Sequence, residues 1–172
     1  MRFKIIILII VIVLMIFFLF YERPFVPEEF ITNRTVKRSE NLFFIYETIR
    51  YPAKIRVTEF ESNLSDIKVG IAGETWQLNF GYVPVGMKQR KFFDMANPKE
   101  TDIKVTINTY GNISPMIEFE KNDFILHKDE TMKVGIIIEP LKTTQPGNYI
   151  GEIDIFIVKP KYSFLSNYLK WF

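Results

Sequence analysis

Residues 5–20 (IIILIIVIVLMIFFLF) form an unbroken apolar run, which sets them apart from the rest of the chain. As a helix these sixteen residues would span about 24 Å, and Phe3 and Tyr21 bring the run close to the ~30 Å hydrocarbon core of a bilayer. A cleaved signal peptide has the same basic start and apolar centre but needs small residues of the A-x-A type after it. None follows here: the first Ser, Ala and Gly are Ser39, Ala53 and Gly70. A prepilin-like leader usually carries Gly before its apolar run, whereas Ile5 follows Lys4 directly. The run therefore reads as an uncleaved single-pass anchor over residues 5–21, with Ile5, Leu8, Val11, Leu14, Phe17 and Phe20 among its spanning positions and Tyr21 at the aromatic belt.

Residues 1–4, with Arg2 and Lys4, make a short basic N-terminus expected in the cytoplasm, which places the rest outside the cell membrane. The sequons at Asn33, Asn63 and Asn112 agree with an exterior location as possible glycosylation acceptors. Without Arg2 and Lys4, the 22 Lys+Arg fall to the same number as the 20 Asp+Glu. That balance provides no basic footprint for nucleic acid. The absence of Cys removes disulfides, thiolate ligands and Cys nucleophiles together.

From residue 22 to residue 40, Pro24, Pro27 and mixed charges without an apolar period read as a juxtamembrane linker. Residues 39–50 fit either a short helix, through Leu42, Ile45, Tyr46 and Ile49, or a first strand. After Pro52 the period becomes two. Trp76, Leu78 and Phe80 alternate with polar residues, as do Ile103, Val105 and Ile107; Met132, Val134, Ile136 and Ile138 form another period-two face, and Ile153, Ile155 and Ile157 another. This pattern predicts that Trp76, Leu78, Phe80, Val105, Ile107, Val134, Ile136, Ile153 and Ile155 face inward. Gln77, Lys104, Thr106, Lys133, Glu152 and Asp154 then face solvent. Turn signals stand at Ala72-Gly73, Asn97-Pro98, Tyr110 to Asn112, His127 to Glu130 and Gln145 to Asn148. Seven to nine short strands with no helical period between them predict an all-β antiparallel sandwich over residues 41–160.

Two stretches within this region resemble a known superfamily. The segment Leu78 to Gly86 (LNFGYVPVG), then Lys91 to Asn97 and the strand Ile103 to Ile107, resembles the opening of Ig-like domains of the ASH/hydin and major-sperm-protein type. Gly147 to Gly151 (GNYIG) resembles the tyrosine corner of Ig-like sandwiches, with Gly151 where antibody domains have a second cysteine. The resemblance covers residues 66–158 and implies an Ig-like fold, with Tyr149 as a structural corner whose hydroxyl meets nearby backbone. It implies no particular function. Gly81 and Gly86 are expected to allow positive φ or a bulge.

The inventory for catalysis is thin. His127 is the sole imidazole, and no G-x-S-x-G elbow, P-loop or H-E-x-x-H stretch occurs. Asn122, Asp123, Asp129 and Glu130 have the oxygen chemistry of calcium ligands, but they lack the D-x-[DN]-x-[DN]-G spacing and read as solvated turn residues. No metal, cofactor or enzymatic activity is expected. Residues 161–172 read as an amphipathic helix, with Leu165, Tyr168, Leu169 and Phe172 as its stripe, widened by Phe164 and Trp171. Its apolar face must be buried against the chain's own sandwich, the membrane or a protein partner. Together these features predict a cell-surface, non-enzymatic interaction or assembly module with an unidentified protein partner. The alternative is a surface carbohydrate-binding or hydrolase-accessory module, in which Tyr82, Tyr110 and Trp76 would share an exposed face.

Overall fold

A computed structural model describes residues 6–12, 29–59, 72–74 and 77–172. Among them are ten strands in two sheets, mostly antiparallel and compatible with a β-sandwich. β1 (Thr35–Glu40) pairs with the first half of β2 (Phe44–Thr58). The path across the large sheet is β3 (Ala72–Glu74), β4 (Gln77–Pro84), β2, β10 (Gly147–Pro160), β6 (Ile103–Gly111) and β8 (Phe124–Leu126). The small sheet runs β5 (Gln89–Ala96), β9 (Thr131–Ile138), β7 (Ile117–Phe119).

The period-two pattern places the core as expected. Phe80, Val105, Ile107, Val134, Ile136, Ile153 and Ile155 join Ala53, Ile55, Val57 and Val83 in one buried cluster, and half-buried Leu78 packs against it. Trp76 lies outside the described residues.

Several expectations change. The stretch read as linker contains β1, whose six residues are all exposed, so no apolar alternation marked it. Of the two readings open for residues 39–50, residues 44–50 take the strand. Ala72 and Gly73, read as a turn, belong to β3 and pair with Asn79 and Leu78. One pair is parallel: β2 runs alongside β4. Between Lys54↔Asn79 and Arg56↔Tyr82 the register slips by one residue, making a bulge at Phe80-Gly81. Gly81 there has φ +74°, a left-handed conformation that glycine adopts at little cost.

The Phe80 carbonyl lies at this bulge. The buried Lys91 Nζ, on the opposite sheet, donates to that oxygen at 2.6 Å. Burial holds the Lys91 ammonium below its ordinary pKa.

Residues 6–12 are helical and exposed, including Leu8 and Val11. No helix among the described residues is long and apolar enough to cross a membrane. Ile5, Leu14, Phe17 and Phe20 of the expected span lie outside the described residues, as do residues 22–28 of the expected linker. At the other terminus, residues Ser163–Trp171 form a 3₁₀ helix.

Candidate functional site

β10 has strands bonded along both edges, β2 on one side and β6 on the other. Its odd residues enter the core between the sheets, so its even residues form the middle of the large sheet's outer face. Cross-strand register defines that face row by row. Arg56 stands opposite Asn148, Lys54 opposite Ile150, Pro52 opposite Glu152, Arg50 opposite Asp154, Thr48 opposite Phe156 and Tyr46 opposite Val158. On the β6 side, Tyr110 faces Glu152 and Asn108 faces Asp154.

This face was expected to be solvated, and much of it is sealed. At its apolar end Leu165, Leu169 and Phe172 of the C-terminal segment pack with Phe44, Tyr46, Phe156 and Val158. Phe164, Tyr168 and Trp171 remain exposed, so the expected stripe divides, with Tyr168 on the outer side. The surface that accepts the helix admits only those three side chains. Lys104, Glu152 and Asp154, expected to be exposed, are buried on this outer face: the strand alternation has the right direction, but other parts of the chain cover it.

The middle of the face is an ionic cluster. Arg50 is 5% exposed, Glu152 0% and Asp154 1%. Arg50 grips Glu152 through two bonds, Nε to Oε1 and Nη2 to Oε2, the second at 3.0 Å. Residues 29–31 lie over them. The Ile31 N–H donates to Glu152 Oε2 at 3.2 Å, Arg50 Nη2 donates to the Glu29 carbonyl at 3.3 Å, and the Phe30 ring lies against Gly111. Asp154 Oδ1 is 3.9 Å from Arg50 Nε.

While ionised, neither Asp154 oxygen meets a hydrogen-bond donor among the described residues; once protonated, its hydroxyl donates to Glu152. Burial first, and then that bond and the charge of Glu152, push the Asp154 carboxyl up to about 8. Burial alone would raise Glu152 as well. The bonds from Asp154, Arg50 and the Ile31 N–H outweigh burial and hold Glu152 below its ordinary value. The Tyr110 phenol is raised, by burial and then by the two carboxyl groups. Charged groups this deep are costly unless paired, and perturbed carboxyls of this kind mark candidate sites.

Beyond the cluster the face opens into a cleft of about 320 Å³, lined in part by Lys54, Arg56, Asn79, Tyr82, Asn148 and Ile150. The Arg56 guanidinium lies 5.1 Å from the centre of the Tyr82 ring, and Nη1 is 3.5 Å from the phenol oxygen. Asn79 Oδ1 accepts from the Gly81 N–H at 3.1 Å, so the bulge and the cleft wall are one structure. Among the described residues, two cations, two amides and no carboxylate line this cleft, which suits a carboxylate or another oxyanion.

The remaining expected positions lie elsewhere. Tyr82 is exposed at 49%, Tyr110 is half-buried over the ionic cluster, and Trp76 lies outside the described residues. His127 is exposed, with Nδ1 3.1 Å from Asp102 Oδ2. Asn122 bonds both the N–H and the carbonyl of Ile107, Asp123 pairs with Lys104 at 2.9 Å, and Glu130 accepts from the His127 N–H. Among the described residues no three His, Cys, Asp or Glu side chains converge. Asn33 and Asn112 are exposed, and Asn63 lies outside the described residues.

The Arg50, Glu152 and Asp154 cluster was not anticipated from sequence. The one signal for it was the length of the Ile-rich strand around Gly151-Glu152-Ile153-Asp154, which suits a central position where both faces are at risk of burial. Comparison of the chain with family models, characterised proteins and solved structures finds no match.

Proposed function

We propose that this chain is a membrane-anchored, non-enzymatic module of the Ig-like kind that holds a protein partner at the open end of its large sheet, outside the cell membrane. The observation that carries this reading is the cleft of Lys54, Arg56 and Tyr82, which no described segment covers, on a face that residues 29–31 and 163–172 otherwise seal. An acidic loop or chain terminus of a partner fits its charge. The Ig-like part draws support from Tyr149, whose hydroxyl donates to the Gln145 carbonyl at 2.7 Å as a tyrosine corner does. Positive φ at Gly81 and Gly86 agrees with the glycine roles expected of the same motif. The anchor rests on the apolar run 5–20.

The carbohydrate alternative needs aromatic rings free to stack. The Tyr82 ring is stacked by Arg56, and Tyr110 is half-buried beside Glu152, so a protein partner is the better fit. A photo-crosslinking side chain placed at position 82 in native membranes should yield a discrete protein adduct that Arg56→Glu abolishes. The same side chain at exposed position 133 on the small sheet should yield none. Identical adducts from both positions would overturn the proposal.

A further inference from the structure

We infer that the C-terminal end of the module lies on the same bilayer that anchors its N-terminus, with the exposed aromatic side chains of residues 162–171 at headgroup level. This inference rests on the anchor reading above. The 3₁₀ helix already buries Leu165 and Leu169 against the sheet, so its own docking is complete. What remains exposed is surplus to folding: Trp171 at 77%, Phe164 at 66%, Tyr168 at 55% and Tyr162 at 49%. Leu42, 67% exposed in the turn between β1 and β2, joins the same end, because the Lys161 N–H donates to the carbonyl of neighbouring Phe43 at 2.8 Å.

Apolar side chains clustered at one end mark an interaction surface. Trp, Tyr and Phe bordered by Lys161 and Lys170 have the composition of a bilayer interface, where ring bodies enter the acyl boundary and ammonium groups reach the headgroups.

The tether permits this occupant. Seven residues separate Tyr21 from Glu29, so the eight steps between them reach at most about 28 Å. The Glu29 carbonyl is fixed to Arg50. From Arg50 to Phe44, at the aromatic end, β2 runs six residues or about 20 Å. The chain can therefore lay that end on the membrane surface, and tethering raises its effective concentration there. In this orientation Arg56, twelve residues from Phe44 along the same strand, stands about 40 Å from the aromatic end. The cleft then faces away from the lipid, where a partner approaches.

The test uses the full chain in nanodiscs containing three parts phosphatidylcholine to one part phosphatidylglycerol. The chain has no cysteine, so Tyr168→Cys and, separately, Lys133→Cys each carry a single nitroxide. The label at 168 should collide more with lipid-soluble oxygen than with a water-soluble nickel chelate, and the label at 133 should show the reverse. Phe164→Ser with Trp171→Ser, both at exposed positions, should return the label at 168 to the aqueous pattern. Equal aqueous accessibility at 168 and 133 overturns the docking. Spin–spin broadening at 168 between two copies in one disc also overturns it, in favour of self-association. The anchor is read separately, by retention in membranes through alkaline carbonate washing; loss there removes the anchor reading and this inference with it.

Discussion

The carboxyl of Asp154 carries the most quantitative prediction. In the folded chain it is pushed from 3.8 up to about 8, first by burial and then by Glu152. A group that binds its proton more tightly when folded stabilises the fold fully below its unfolded pKa and loses that contribution as pH rises through the folded value. Stability should therefore fall between about pH 4 and pH 8, opposite to the usual effect of a paired carboxylate. Four pKa units at about 1.4 kcal/mol each set a ceiling on the order of 6 kcal/mol. Because residues 29–31 are a thin cover held by two backbone contacts, water admitted beside the ionised group should reduce this to about 2–3 kcal/mol.

The other groups around Asp154 do not mask the window. Arg50 on β2 and Lys37 on β1 are cations, the lowered Glu152 titrates below it, and the raised Tyr110 titrates above it. Asp154→Asn imitates the protonated acid and can still donate to Glu152. In denaturant titrations of the full chain in detergent, the variant should match wild type at pH 5. It should exceed wild type by about 2–3 kcal/mol at pH 9. Parallel pH dependence of the two proteins would refute the burial argument.

Two further perturbations test the packing. Gly151→Ala should cost about 3 kcal/mol in the same titration, because a Cβ there would collide with the Tyr110 carbonyl and lie 2.6 Å from the Ile113 side chain, and neither central strand has room to move. Lys104→Ala should cost about 1–2 kcal/mol while Lys133→Ala stays within about 0.5; the Lys104 stem is buried between Val158 and Ile125 with Nζ 2.9 Å from Asp123, whereas Lys133 is exposed.

The sequence reveals strand direction well and cover poorly, for a physical reason. Alternation reports which side chains leave a strand on the same side, so Val105, Ile107, Val134, Ile136, Ile153 and Ile155 were placed on the core face from spacing alone. What covers the opposite face is contributed by residues 29–31 and 163–171, remote from most of the rows they seal, and no local period encodes that contact. Glu152 and Asp154 therefore looked like ordinary solvent-facing residues. β1 escaped because an edge strand exposed on both faces has no apolar side to repeat, and its Lys37, Arg38 and Glu40 resemble a linker. Of the cleft, Gly81 was legible as a residue of positive φ or a bulge, whereas the exposure of Tyr82 was left open. The convergence of Lys54 and Arg56 on them depends on the parallel pairing of β2 with β4, which local alternation does not specify.

The position of the ionic row explains why the face divides as it does. An all-apolar outer face would bury more surface, but residues 29–31 could then settle on it in several registers, since apolar contacts are non-directional. Arg50 and Glu152 accept one arrangement: the Glu29 carbonyl toward the guanidinium and the Ile31 N–H toward the carboxylate. Burying that pair fixes where the N-terminal segment meets the sheet, a register role for which buried polar groups are best attested. The same row separates an apolar end, closed by Leu165 and Leu169, from a basic end that no described segment covers. The charge that fixes residues 29–31 thus also bounds the part of the face that the described segments seal, and the cleft lies beyond it.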